Sequence, residues 1–258
     1  YRWLSSGVAL AEQSAISWTD ATFNPWIGCT KVSTGALGAC ELCYAERDNN
    51  RRGWVASWGH GIPRRRTSPS NWKQPFRWNR NAAATGKPLR VFCASLADVF
   101  DNEVPQEWRD DLWQVVRVTP HLRWLLLTKR IENAPDMLPP DWPYPNAGLG
   151  ATIVTQREWD RDYSKLAAIP AAFHFISDEP TLDDIDIGNA RPDWIITGGE
   201  SGVGFRPLNM GHVRSMRDQC ARNGVTFHHK QNGGIRGKDA GCLVDGVEHK
   251  HFPAALAA

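Results

Sequence analysis

Three cysteines near the N-terminus are the residues whose type and spacing point most directly to chemistry. Cys29 is followed after ten residues by Cys40 and, after two more, by Cys43. Two thiolates two residues apart can bind one metal ion or one cluster from a single turn. A structural zinc site closes its tetrahedron with four protein ligands, whereas an iron–sulfur cluster held by three cysteines keeps one iron open for a substrate or cofactor.

The fourth ligand distinguishes these two interpretations, and ligand counting leaves both open. A zinc site would need Cys93, Cys220, Cys242 or His60 to complete it. Cys93 lies inside an apolar run, which is typical of a small buried hydrophobic residue. In a cytosolic chain, clustered cysteines indicate metal or redox chemistry before disulfides.

Short apolar runs indicate the elements that must position these cysteines. Six of them follow residue 85, at 89–95, 123–128, 147–153, 172–177, 194–197 and 225–229. Each is continuous rather than alternating, which is typical of parallel strands covered on both faces. Predicted helices at 106–118, 157–169 and 210–223 separate some of them, and 22–30 supplies a first strand. The pattern predicts an α/β fold: a partial or complete (β/α) barrel of about six to seven parallel strands.

Polar side chains follow these strands at their carboxyl ends, where a barrel places its chemistry. In chain order they are Ser95, Asp98, Thr128, Lys129, Arg130, Ser177, Asp178, Glu179, Gly198, Gly199, Glu200, Ser201, Arg206, Lys230 and Gln231. We expect them to line one pocket. The alternative is that some solvate loops or pair with one another.

Within this pocket, Glu179, Glu200 and Lys230 are the predicted catalytic residues. Lys129 and Arg130 suit a carboxylate or a phosphate, the arginine in a bidentate manner and the lysine as a point charge.

Charge is segregated along the chain, although its net value is only +2. Between residues 49 and 97 there is no Asp or Glu, and the same stretch holds ten Lys and Arg together with several aromatic residues. Interleaved Arg and Trp suit nucleic acid, because Arg neutralises phosphates and rings stack on bases. The predicted contacts are Arg64, Arg65, Arg66, Trp72, Lys73, Arg77 and Trp78. The alternative is a cover over the barrel, with buried Trp and solvated Arg side chains.

Several blocks of sequence, in one order, resemble a phage-associated three-cysteine family related to the radical S-adenosylmethionine (SAM) enzymes. They are NPWIGCTKVSTGALGACELCYAE, SNWKQPFRW, VFCASLADVF, LLLTKR, SDEPTLDDID, DWIITGGESG and FHHKQNG, spread from about Ser17 to Pro253. The resemblance implies a radical SAM-type barrel in which Cys29, Cys40 and Cys43 hold a [4Fe–4S] cluster. SAM would bind the open iron, and its reductive cleavage would give a 5′-deoxyadenosyl radical that abstracts hydrogen from a substrate.

The cysteine spacing departs from the usual radical SAM pattern, which has three intervening residues and then two. Here the first interval is ten residues long. Leu42 stands where that family usually has an apolar contact to adenine. Gly198, Gly199 and Glu200 resemble the motif that holds the SAM amino group, but they follow about the sixth strand instead of the second. The predicted cofactor-binding residues are Leu42, Ser95, Asp98, Lys129, Arg130, Gly198 and Gly199.

These observations predict a radical SAM enzyme that modifies or rearranges a nucleic-acid base, for example a hypermodified thymine in phage DNA. Isomerase, lyase and transferase chemistry all remain open, and an electron donor such as flavodoxin or ferredoxin is expected. One alternative is radical SAM chemistry on a peptide or small metabolite. Others are a zinc-stabilised nucleic-acid-binding protein without catalysis, and a barrel hydrolase using Asp98, Glu179 and Glu200 with a metal.

The 258 residues, 41% of them hydrophobic, have the composition of a globular chain. We expect one barrel domain over 1–258 with a basic insertion at about 49–90. No apolar run approaches the roughly eighteen residues that a membrane span needs, and the N-terminus lacks the apolar core of a secretory signal. A cytoplasmic location is therefore expected, in the host cytoplasm if a phage encodes the protein.

Overall fold

A computed structural model describes residues 14–237 and 240–256 of the chain. Its strands are β1 (Ala21–Phe23), β2 (Trp26–Ile27), β3 (Arg65–Arg66), β4 (Leu89–Cys93), β5 (Leu122–Thr128), β6 (Ala147–Thr152), β7 (His174–Asp178), β8 (Trp194–Thr197), β9 (Thr226–His229), β10 (Leu243–Val244) and β11 (Val247–Glu248). Its α-helices are α1 (Tyr44–Arg52), α2 (Pro69–Trp72), α3 (Gln74–Thr85), α4 (Gln106–Arg117), α5 (Ala134–Met137), α6 (Gln156–Ala168) and α7 (Met210–Asn223). Short 3-10 helices occupy Ile131–Asn133 and Ala254–Leu256.

Seven strands form one parallel sheet in the order β1-β4-β5-β6-β7-β8-β9. Every pairing in this sheet is parallel, and β1 and β9 stand at its two edges in the described part of the chain. The predicted fold class is confirmed as a partial (β/α) barrel of seven parallel strands. The first strand is shorter than predicted, because β2 leaves the barrel and pairs antiparallel with β3.

Local sequence signals explain where the barrel helices begin and end. The Thr155 side chain accepts the Glu158 N–H and begins α6, and the Asn209 side chain accepts the Gly211 N–H and begins α7. Gly224, in the left-handed conformation at φ 71°, ends α7. The three predicted long helices are confirmed, each within one residue at either end.

Two apolar cores position the carboxyl ends of the strands. The larger core lies between the sheet and its helices. A smaller aromatic core contains Trp18, Phe92, Phe175 and Trp194, with Phe92, Phe175 and Trp194 on or beside sheet strands. Trp18 and Phe92 have ring centroids 4.6 Å apart, and both rings also line the cavity described below. In the described residues, no helix is long and apolar enough to cross a membrane.

Candidate active site

A cavity of about 460 Å³ lies where the predicted strand ends converge. All three cysteines of the N-terminal motif line it, together with most of the polar residues predicted from the strand ends. The predicted residues on its wall are Cys29, Cys40, Leu42, Cys43, Ser95, Thr128, Lys129, Ser177, Glu179, Gly199, Glu200, Ser201, Lys230 and Gln231. The parallel sheet explains this convergence, because its strands all end at the same edge.

The chain between Cys29 and Cys40 folds back on itself. The Ser33 carbonyl accepts the Cys40 N–H at 2.7 Å, and the Ser33 hydroxyl accepts the Ala39 N–H at 3.2 Å. Residues 33–39 therefore form a closed excursion whose two ends meet. Gly38 is required by this close approach, because a Cβ there would lie 2.4 Å from the Thr34 backbone. Outside the excursion, only three residues separate Cys29 from Cys40.

All three cysteine thiols are free of disulfide bonds, and Cys29 has a cationic neighbour. Arg130 Nη1 lies 3.5 Å from Cys29 Sγ. Burial raises the pKa of the Cys29 thiol to about 12, and the Arg130 guanidinium acts in the opposite direction. Three thiols on one cavity wall are a soft donor set that fits an iron–sulfur cluster. Among the described residues, no three Cys, His, Asp or Glu side chains already stand in a metal-binding arrangement.

Asp98 and Arg130 lie behind this wall and are not among the residues that line the cavity. Asp98 accepts hydrogen bonds from Thr128 Oγ1 at 2.7 Å and from the Lys129 N–H at 3.0 Å. It also pairs with Arg130 at 3.1 Å, and Arg130 donates to the Thr30 carbonyl at 2.5 Å. Both side chains are almost fully buried, so this pair connects the ends of β4 and β5 to the cysteine loop.

Lys129 extends in front of that pair and faces the cavity. Its ammonium group is 3.4 Å from Thr152 Oγ1, and no carboxylate in the described residues forms an ion pair with it. A half-buried ammonium without a carboxylate partner is suited to an anionic group of a ligand.

Glu179 and Lys230 form an ion pair on the cavity wall. Lys230 Nζ lies 2.7 Å from Glu179 Oε1. Trp18 Nε1 donates to Glu179 Oε2 at 3.0 Å, and the Ser177 hydroxyl lies 3.3 Å from the same oxygen. Gly198 lies just outside the wall, where a Cβ would be 3.1 Å from Glu179 Oε1. This carboxylate is thus held beside Trp18 of the smaller aromatic core.

Glu200 also forms an ion pair with a basic side chain. Arg206 Nη2 lies 2.6 Å from Glu200 Oε1, and the Glu200 side chain is only 5% exposed. The carboxylates of Asp98, Glu179 and Glu200 are therefore each neutralised by a different basic residue. That arrangement does not provide the shared acidic centre that a metal-dependent hydrolase needs.

The four residues that could have completed a zinc site do not line the cavity with the three cysteines. Cys93 and Cys220 are fully buried in the larger core. His60 Nδ1 contacts Glu103 Oε1 at 2.5 Å, and Cys242 Sγ lies 3.5 Å from Glu248 Oε1.

Three of the seven nucleic-acid contacts predicted in the basic segment lie in the interior of the protein, and this corrects part of the segment's predicted role. The Arg64 side chain is 1% exposed and lies 2.8 Å from Asp101 Oδ2. Trp72 and Trp78 are buried at 9% and 3% exposure, so neither ring can stack on an external base. These three residues were predicted nucleic-acid contacts, but their positions are interior.

The remaining members of that set lie nearer the surface. Arg66 pairs with Asp111 at 2.6 Å and stacks over the Trp72 ring at 4.2 Å. The side chains of Arg65, Lys73 and Arg77 are exposed.

The cavity also contains residues that sequence analysis did not select. They include Trp18, Lys31, Tyr44, Arg47, Trp58 and Arg236. Tyr44 directly follows Cys43, and its hydroxyl donates to the Ser95 carbonyl at 2.6 Å. Adjacency to a cysteine could have identified it. Arg236 and Trp18 are placed by long-range folding, for which the sequence carries no local signal.

Solved structures of spore photoproduct lyase are similar to this chain. The lyase complexed with dinucleoside spore photoproduct has a TM-score of 0.48 and 11% identity, over 84% of this chain and 65% of that one. A cysteine-to-alanine mutant with the same dinucleoside has a TM-score of 0.47 and 11% identity, over 82% of this chain and 63% of that one. The chain thus spans less than two thirds of the length of these lyases.

A search of curated proteins found no match. A family model matches residues 13–253, nearly the full length of the chain, and is described as a protein of unknown function, DUF5131. The chain therefore belongs to the DUF5131 family.

Proposed function

We propose that this protein is a radical SAM enzyme whose cluster ligands are Cys29, Cys40 and Cys43. The observation that carries the proposal is the closed excursion at residues 33–39. With its ends joined by the hydrogen bond from Cys40 to Ser33, the motif has three residues and then two between its cysteines. That is the usual radical SAM spacing, so the ten-residue interval is explained as an insertion into a standard motif.

A three-thiolate cluster with an open iron would supply the one-electron cleavage of SAM that yields a 5′-deoxyadenosyl radical. The chain's own residues bind and orient the ligands. Lys129 faces the cavity beside the motif and is placed to pair with the SAM carboxylate. Leu42 lies on the wall between Cys40 and Cys43, as an apolar contact for an adenine ring requires. Arg130 places positive charge next to the Cys29 sulfur and favours its thiolate form.

We infer that the substrate is a base within a nucleic acid. The Trp18 and Phe92 rings give the cavity an apolar aromatic floor that suits a planar heterocycle. Glu179 and Lys230 place an acceptor and a donor beside that floor, as recognition of a base edge requires. A modified thymine in phage DNA is the specific candidate, with flavodoxin or ferredoxin as electron donor in the cytoplasm.

Anaerobic reconstitution with iron and sulfide tests the enzyme class. We expect about four irons per chain and release of 5′-deoxyadenosine after reductant and SAM are added. Replacement of Cys29, Cys40 or Cys43 by Ala should abolish both. The matched control is Cys242→Ala, because Cys242 is also partly exposed but lies outside the cavity.

Stoichiometric zinc in a colourless protein that does not cleave SAM would contradict the proposal. In that case the zinc-stabilised nucleic-acid binder becomes the better explanation. The substrate class is tested separately by adding single-stranded DNA, which should stimulate SAM cleavage. Stimulation by peptides or metabolites but not by DNA would retain the enzyme class and overturn the assignment of substrate.

A further inference from the structure

The Arg206 side chain is held rigidly by Glu200. The Arg206 backbone N–H and its Nε both donate to Glu200 Oε2 at 2.9 Å, and Nη2 donates to Oε1 at 2.6 Å. Glu200 stands just after β8 and its side chain is 5% exposed. These three donors from one residue occupy most of the roughly four acceptor sites of the carboxylate, which leaves little capacity for a substrate or cofactor.

The remaining donors of Arg206 reach the excursion at residues 33–39. Nη1 donates to the Ala36 carbonyl at 2.9 Å, and Nη2 donates to the Gly38 carbonyl at 3.1 Å. The planar guanidinium binds the carboxylate through two nitrogens and reaches two carbonyls from the same fork, a bidentate geometry that the single nitrogen of a lysine does not have. The guanidinium therefore joins the end of β8 to the segment that immediately precedes Cys40.

The excursion depends on such contacts because its tip has little burial of its own. Residues 34–37 are exposed, and the Leu37 side chain is half in solvent. Apart from its internal hydrogen bonds and the Arg206 contacts, it is fastened at two places. The Ser33 hydroxyl donates to Glu158 Oε1 at 2.7 Å, and the Gly35 N–H donates to Glu41 Oε2 at 2.8 Å. A short exposed loop with few apolar contacts opens readily unless polar contacts fix it.

A second arginine joins the loop that follows β8, residues 198–209, to the chain on the C-terminal side of Cys43. Arg47, on α1, donates from Nη2 to the Ser201 carbonyl at 2.5 Å. Its guanidinium lies against Gly202, which has φ 106°, a backbone conformation that favours glycine. The loop after β8 thus contacts the chain both before Cys40 and after Cys43.

We infer that Glu200 and Arg206 form a clamp that holds the excursion closed and so positions Cys40 toward its neighbouring cysteines. Both are positioning residues: they act through the cysteine loop and not through contact with the reacting groups. This assigns Glu200 a different role from the catalytic one that the sequence predicts. The identity of the ligand set rests on the proposed function, but the clamp acts on the metal-free chain.

Alkylation of the metal-free, reduced protein tests the clamp directly. Cysteine modification by iodoacetamide is followed over time by mass spectrometry in the wild type and in Arg206→Ala. We expect Cys40, which is 7% exposed, to react about tenfold faster in the variant, as the loss of charge-assisted hydrogen bonds implies. The rate at Cys242 should not change, and Cys93 and Cys220 should stay protected because both are buried in the core.

Two further variants keep the result interpretable. Arg214→Ala is the matched control. It removes an arginine of α7 that pairs with Asp245, and neither residue contacts the excursion at 33–39. Its Cys40 rate should equal that of the wild type. Arg206→Lys should react at an intermediate rate, since it keeps the charge but loses the planar fork. If Arg206→Ala also speeds the alkylation of Cys93 and Cys220, the variant has lost general stability and Arg206→Lys is used instead. Faster alkylation of Cys40 alone in Arg206→Lys supports the clamp, and a wild-type rate at Cys40 contradicts it.

A deletion separates positioning from general stability. In a chain lacking residues 33–39, the interval between Cys29 and Cys40 is three residues and the clamp has nothing to hold. Arg206→Ala should then leave iron loading unchanged, while in the full-length chain it should lower iron content several-fold. Equal Cys40 alkylation in wild type and Arg206→Ala, or equal iron loss in both backgrounds, would overturn the clamp. Faster alkylation without iron binding in any form would retain the clamp and contradict the cluster.

Discussion

Arginine and tryptophan occur both around the cavity and in the basic segment, but in opposite arrangements. In the segment, Trp72 and Trp78 are buried and Arg64 is paired internally with Asp101. Around the cavity, Arg47 on α1 lines an open space, and so does Trp58, a residue of the segment that does reach the cavity. The contrast teaches that a residue's partners, more than its type, decide whether it can meet a ligand. The acidic partners of Arg64 and Arg66 lie just beyond the segment in sequence, whereas the cavity residues converge from distant strands.

The largest expected effect that tests this contrast is a loss of folding stability when Arg64 is replaced. Replacing Arg64 by Ala leaves the carboxylate of Asp101, whose side chain is fully buried, without its main cation. We expect a loss of about 3–5 kcal/mol in the free energy of unfolding, as for other broken buried ion pairs. Arg65→Ala, its exposed neighbour, should change stability by less than about 0.5 kcal/mol. Urea unfolding of both variants measures this, and similar values would contradict an interior role for Arg64.

The free energy of unfolding should depend on pH through a buried histidine that packs against the smaller aromatic core. His228 is fully buried, and its Nε2 lies 3.0 Å from Ser17 Oγ. Burial, with nearby Lys250, lowers the pKa of His228 to about 3. In the unfolded chain its pKa is near 6.5, so the unfolded state binds the proton first as the pH falls.

The free energy of unfolding should therefore fall by about 1.4 kcal/mol for each pH unit between roughly 6.5 and 3, with this histidine as one contributor. Above pH 6.5 the contribution is constant. Urea titrations at pH 7, 6 and 5 measure the slope, which should flatten in His228→Gln but not in His121→Gln, where the ring is exposed. The same slope in both variants would show that another group is responsible.

A smaller effect is expected at the cavity wall. Lys129 faces the cavity without a carboxylate partner in the described residues, so Lys129→Ala should change stability little. We expect SAM affinity to fall by about tenfold, the loss typical of one charge-assisted contact. Equilibrium binding to the reconstituted protein measures this. Unchanged affinity together with lowered stability would place Lys129 among the structural residues, like Arg64.

Strand and helix positions could be predicted because they depend on local periodicity. The run at 194–197 and the helix at 210–223 agree with the structure at both ends. The convergence of Lys129, Glu179 and Lys230 on one cavity followed from the rule that parallel strands end together. Each of these inferences uses residues close in sequence or a property common to the whole fold.

The arrangement of the arginines could not be predicted in this way. Arg64 pairs with Asp101 and Arg66 with Asp111, and both acids lie outside the acid-free stretch that made the segment look unsatisfied. The contact of Arg206 with Ala36 joins residues 170 positions apart. It also depends on backbone carbonyls, which carry no signature in the sequence.

The smallest effect concerns the exposed part of the basic segment. Lys73 and Arg77 are on or beside α3, with exposed side chains, and remain candidates for phosphate contact. If both contact single-stranded DNA, replacing them by Ala should reduce the slope of log affinity against log salt concentration by about 0.7 each. Arg214→Ala and Arg217→Ala are the control, because these arginines pair with Asp245 on another face. An unchanged slope would indicate that nucleic acid contacts the cavity rim instead of the segment. Lys31 and Arg47 on that rim are then the residues to replace next.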